Sequence, residues 1–96
     1  MMLVVTYDVN TETSDGARRL RAVAKLCERY GMRVQNSVFE VMVDGAQLAV
    51  LKESLLQTID VKRDSVRFYR LGNNYQSRID KIGYTPTVEA GKELIL

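Results

Sequence analysis

Residues 32–43 read MRVQNSVFEVMV, and the folding of this stretch decides the architecture of the chain. Its side chains alternate, with Arg33, Gln35, Ser37, Phe39, Val41 and Val43 on one side and Val34, Asn36, Val38, Glu40 and Met42 on the other. A period of two marks extended chain, in which successive side chains point to opposite faces. The length of the run and its polar centre, Gln35-Asn36-Ser37, predict two strands joined by a turn or bulge, or one long bent strand. Asp44-Gly45 ends it.

On the N-terminal side, Met2 to Asp8 is an apolar run with β-branched Val4, Val5 and Thr6, which reads as a central strand covered on both faces. Polar residues from Asn10 to Gly16 break it. Ser14 or Asp15 then caps a helix whose Ala17, Leu20, Val23, Ala24, Cys27 and Tyr30 recur at helical spacing, and Gly31 is expected to supply a left-handed stop. On the C-terminal side, Leu48, Leu51, Leu55 and Ile59 mark a second amphipathic helix that stops before Asp60. Asp64 to Leu71 follows as a strand with Val66 and Phe68 facing opposite to Arg67, Tyr69 and Leu71, and Gly72-Asn73-Asn74 is a turn. Arg78 to Ile82 is a short extended segment, Pro86 lies in a loop, and Glu93 to Leu96 adds a last edge strand. The order β-α-β-β-α-β predicts one α+β domain over residues 1–96, a ferredoxin-like sheet with two helices on one face and a C-terminal extra strand.

Composition narrows the chemistry. The chain of 96 residues holds no histidine and one cysteine, Cys27, so an intrachain disulfide, zinc sites of Cys and His, and Ser-His or Cys-His catalysis are all excluded. Hydrolytic chemistry must use carboxylates, a metal ion or water. Cys27 itself reads as a small buried apolar residue. No apolar stretch approaches the roughly 18 residues of a membrane span, and the opening MMLVVTYDV is too short and too soon acidic for a secretory signal, so a cytoplasmic protein without membrane contact is expected.

The net charge of +2 is unevenly placed. Residues 1–16 carry −3, from Asp8, Glu12 and Asp15, whereas residues 17–33 carry six basic side chains against Glu28. A second basic block, Lys62, Arg63, Arg67, Arg70, Arg78 and Lys81, follows an acidic middle segment. Two such blocks suggest a face that binds a polyanion, and a nucleic acid fits that description.

Four segments resemble the CRISPR-associated protein two family: Thr6-Tyr7-Asp8-Val9, Arg18-Arg19-Leu20, the run from Arg33 to Glu40, and Asp64 to Gly72. These match in order and spacing across nearly the whole chain, and the run Arg33-Val34-Gln35-Asn36-Ser37-Val38-Phe39-Glu40 is the most specific. The resemblance implies a ferredoxin-like protomer in a symmetric homodimer, with residues from about 78 to 96 pairing with the partner's sheet. It further implies a magnesium-dependent endonuclease on double-stranded DNA or single-stranded RNA, acting in spacer acquisition beside the CRISPR integrase.

The same resemblance assigns site residues. Asp8, at the end of the first strand, matches the metal-binding and catalytic aspartate, and one such carboxylate from each protomer suits Mg2+, which keeps several waters of its own. Arg18, Arg19 and Arg33 match basic positions that hold phosphate, and Ser37 is placed to donate to one. Tyr7, Asn10 and Phe39 are supporting residues, Tyr7 and Phe39 chiefly by packing. The second basic block is a candidate phosphate track, and nothing points to base-specific reading. The alternative reading is a non-catalytic DNA-binding scaffold that bridges integrase dimers, with Asp8 structural. An RNA-recognition domain of similar topology would need stacking aromatics on its central strands, for which Tyr7 and Phe39 give only a thin basis.

Overall fold

The computed structural model describes residues 1–84. Along them run β1 (Met2–Asp8), α1 (Ser14–Glu28), β2 (Gly31–Gln35), β3 (Val38–Met42), α2 (Gly45–Thr58), β4 (Ser65–Gly72) and a short 3₁₀ turn (Tyr75–Arg78). The strands form one sheet in the order β2-β3-β1-β4, with every neighbouring pair antiparallel. This is the expected ferredoxin-like α+β plan, in which each helix carries the chain past one strand and brings β1 and β3 to the centre. The loop at Pro86 and the strand at Glu93 to Leu96 lie outside the described residues. No helix among the described residues is long and apolar enough to cross a membrane.

The alternating stretch resolves into two strands. Arg33 pairs with Phe39 and Gln35 with Val38, so Val34 is the extra residue of a bulge beside the turn at Asn36-Ser37. Alternation also sorts the two faces of the sheet. Leu3, Val5, Tyr7, Phe39 and Val41 are buried and meet Val23, Ala24 and Cys27 of α1 and Leu48, Leu51 and Leu55 of α2. Val4, Thr6 and Val38 on the opposite face are only partly covered, and Asp8 and Met42 are exposed. Both helices therefore stack on one side, and among the described residues no helix covers the other, where the segment from Ile79 to Tyr84 comes beside Val34 and Glu40.

Four local expectations are corrected. β1 is not covered on both faces: Val4 and Thr6 are only partly covered and Asp8 is exposed, because both helices pack on the side of Leu3, Val5 and Tyr7. Thr13, not Ser14 or Asp15, caps α1: its backbone is extended and its Oγ1 accepts the Gly16 N–H at 3.3 Å. Asp44-Gly45 does end the alternating run, and Asp44 also opens α2 through a capping box in which its carboxylate accepts from Gln47 N at 2.7 Å and the Gln47 side chain accepts from Asp44 N at 3.0 Å. Gly31 is not a left-handed stop but the extended first residue of β2. It is glycine because a Cβ there would meet the Glu40 carbonyl and stand 2.6 Å from Val41 Cα, so β2 could not lie against β3. Finally, the segment at Arg78 begins as a 3₁₀ turn, and the chain is extended only from Ile79. Gly72, by contrast, has φ 78 and ends β4 in the left-handed region, as a turn there requires.

Cys27 is fully buried beneath the sheet. Burial pushes its thiol up to about 11, which outweighs the opposing pull of Arg33. The thiolate is thus scarce at neutral pH, and a thiol-reactive dye should label the native protein at pH 7 far more slowly than the urea-unfolded chain. Rapid stoichiometric labelling of the native protein would contradict this packing.

Candidate functional site

The helix-free face of the sheet meets the helix layer at the ends of β1 and β4, where Asp8 pairs across the strands with Ser65. Side chains of a cross-strand pair share a face. Together with Thr6, Tyr7, Arg67 and Tyr69 they line an open cavity of about 280 Å³, in which Asp8 is the one carboxylate. Asp8 is exposed, and its carboxylate makes no hydrogen bond or ion pair among the described residues. Arg67 donates to the Tyr69 hydroxyl at 3.4 Å. Ser65 and Tyr69 were not singled out by sequence, because only the register of β4 against β1 brings them beside Asp8.

Directly behind this pair, on the helix side, lies the Asp64 carboxylate, whose side chain is wholly buried. It accepts Arg19 Nε at 2.7 Å, Asn10 N at 2.9 Å and Asp60 N at 2.9 Å. Arg19 Nη2 also reaches the Asn10 carbonyl at 3.4 Å. Burial alone would raise the Asp64 carboxyl, but the hydrogen bonds from Arg19, Asp60 and Asn10 outweigh it and hold the group below the usual range. An unfolded aspartate protonates near about 3.9, so the contribution of this network is full above that value and lost as pH falls through the native carboxyl's lower range. Between pH 5.5 and pH 3 the urea midpoint of the wild-type protein should therefore drop further than that of Asp64→Asn. Equal drops would remove Asp64 as the acid-sensitive group.

This geometry redistributes the expected site residues. Arg19 is committed to Asp64 rather than free for phosphate, and Asn10 turns its side chain back to accept Glu12 N at 3.0 Å. Arg18 is exposed and pairs with Asp15 one turn earlier on α1. Arg33, Phe39 and Tyr7 gather on the helix-facing side of the sheet, the side opposite Asp8. The Arg33 guanidinium sits 5.3 Å from the centre of the buried Phe39 ring, which stacks on Tyr7 with centroids 6.1 Å apart. The Tyr7 hydroxyl reaches the Asn36 carbonyl at 3.5 Å, and burial pushes its phenol up from the ordinary tyrosine value against the opposing pull of Arg33. Ser37 closes the same turn, its carbonyl accepting Tyr7 N at 3.1 Å. The second basic block is exposed throughout, with Arg67 alone inside the cavity.

The donor set suits a hard cation only in part. Among the described residues there is no group of three or more His, Cys, Asp or Glu side chains able to hold a metal. A single free carboxylate flanked by the Ser65 and Thr6 hydroxyls fits magnesium, which binds through one or two carboxylates together with substrate phosphate and its own waters. It does not fit zinc or a closed structural site.

Comparison with known proteins places the chain. Residues 1–79 match the family described as CRISPR associated protein Cas2. A CRISPR-associated endonuclease Cas2 of Halalkalibacterium halodurans is 50% identical over 95 residues, spanning 99% of both chains. A CRISPR-associated endoribonuclease Cas2 of Rhodospirillum rubrum is 55% identical over 99% of this chain and all of its own. Among solved structures, the crystal structure of Streptococcus pyogenes Cas2 at pH 6.5 superimposes with a TM-score of 0.78 and 59% identity, covering 86% of this chain and 100% of that one.

Proposed function

Because the chain belongs to the Cas2 family, we propose that it is a magnesium-dependent endonuclease that cleaves phosphodiester bonds in double-stranded DNA or single-stranded RNA and serves spacer acquisition. The observation that carries this reading is the exposed Asp8 carboxylate, without a partner among the described residues, in a cavity that Arg67 and Ser65 also line. Without histidine, the chain has few other ways to promote hydrolysis.

Asp8 would hold the ion, and the chemistry magnesium supplies when bound is stabilisation of charge developing on the phosphate oxygens. Arg67 keeps guanidinium donors beyond the one given to Tyr69 and can engage the same phosphate. Ser65 adds a neutral donor across from Asp8. A homodimer joined through the helix-free sheet face would bring two Asp8 carboxylates together, and the apolar Met42 and Tyr69 exposed on that face favour its being covered. Arg18, Arg33 and the second basic block would then add phosphate contacts for a nucleic acid running over the dimer, with the CRISPR integrase as the further partner and the cytoplasm as the place of action.

The test is incubation of the protein with labelled duplex DNA and labelled single-stranded RNA, in magnesium chloride and in chelator. Cleavage of either that stops in chelator supports the nuclease and identifies its substrate. Duplex binding without any cleavage supports the second reading, a DNA-holding scaffold between integrase dimers, which the lone carboxylate of the cavity favours.

A further inference from the structure

We propose that Asp64 is a positioning residue whose buried carboxylate fixes the Asp8 carboxylate from behind. This rests on the reading of Asp8 given above, but the observations behind it are separate. Asp64 immediately precedes Ser65, the cross-strand partner of Asp8, and its Oδ1 accepts the N–H of Asn10, two residues beyond Asp8. One side chain thus ties the end of β1 to the start of β4 at the point where both strands leave the sheet.

Two further contacts close the clamp from the helix side. Arg19 binds Asp64 through Nε and the Asn10 carbonyl through Nη2, so a single guanidinium holds both halves of the joint. Gly16 is buried in the first turn of α1 and lets the loop pass directly over it, because a Cβ there would collide with the Asn10 carbonyl and stand 2.9 Å from Thr11 Cα. Residues 9–11 are therefore held between α1 and β4. The Asp8 carboxylate has no partner among the described residues, so its placement depends on the backbone that carries it. The planar guanidinium presents Nε and Nη2 to the two acceptors in a fixed fork, a spacing that the single nitrogen of a lysine does not reproduce.

The experiment compares the full-length wild-type chain with Asp64→Asn and with Arg19→Lys, which keeps the positive charge. Backbone amide exchange is measured at Val9, Asn10 and Thr11, with Val4 and Thr6 within β1 as reference. Cleavage of the labelled duplex and of the labelled RNA is measured against magnesium chloride concentration. Both variants should show at least about tenfold faster exchange at 9–11 and unchanged exchange at 4 and 6. They should also show at least about a tenfold lower kcat, a higher half-saturating magnesium concentration and unaltered duplex binding in chelator. If Asp64→Asn does not fold, Arg19→Lys decides alone. Unchanged exchange at 9–11, or faster exchange with unchanged kcat in an active enzyme, overturns the proposal. Loss confined to KM and duplex binding overturns it too, since that is the signature of an Arg19 that holds phosphate directly. Should the wild-type protein cleave neither substrate, the nuclease reading fails, and exchange at 9–11 still decides whether Asp64 holds the Asp8 backbone.

Discussion

Asp8→Asn is expected to lower cleavage at least about a hundredfold, the scale of several kcal/mol of transition-state stabilisation that a metal ion supplies. The fold should not notice. The Asp8 side chain is exposed and carries no hydrogen bond or ion pair among the described residues, so its replacement by a neutral one of the same shape leaves the thermal midpoint within the range of ordinary surface changes. Duplex binding in chelator should hold or rise slightly, because one negative charge leaves a face that approaches phosphate. Cleavage by Asp8→Asn equal to that of the wild type would take the catalytic role from this carboxylate.

Phe39→Ala carries the largest expected cost to stability. Phe39 is wholly buried on the helix-facing side, stacked on Tyr7 and capped by Arg33. Truncating such a ring removes its burial and leaves a void, typically about 3–5 kcal/mol. Against the roughly 5–15 kcal/mol that holds a small domain together, this brings the chain close to unfolding near 37 °C. Urea unfolding followed by circular dichroism should show the midpoint falling by a large fraction with an unchanged slope. A loss below about 1 kcal/mol would mean that the pocket collapses around the missing ring.

The order of elements was legible because each rests on local periodicity. Both helices and β4 each show one period, β1 is a continuous apolar run, and the alternation over 32–43 marks strand on either side of its polar centre. What remained ambiguous there, one bent strand or two, turns on the bulge at Val34 and on pairing with β1, neither of which is local. Gly31 was misread for a related reason: a glycine after a helix usually marks a left-handed cap, whereas here its missing side chain serves contact with Glu40 and Val41, nine and ten residues further on.

The site was less legible than the fold. Asp8 was visible as a carboxylate at a strand end, and its family context marked it. Asp64 looked like an ordinary charge at the start of a strand, since its partners Arg19 and Asn10 lie 45 and 54 residues away. For the same reason Arg19 read as one more cation on a basic helix. The one signal in the sequence is their place in two of the four segments that carry the family likeness, which does not link the one residue to the other.

The solitary thiol beneath the sheet gives the molecule a clock of its own. Because Cys27 lies on the inner face of α1, fully buried in the core, a small alkylating reagent can reach it only in those moments when the helix lifts away. When closing outpaces alkylation, the labelling rate at a given pH reports the population of those moments, and with fast reagent it reports how often they begin. No label need be engineered and no denaturant added. The same native chain, sampled with and without nucleic acid, therefore records whether a bound polyanion slows the breathing of its core.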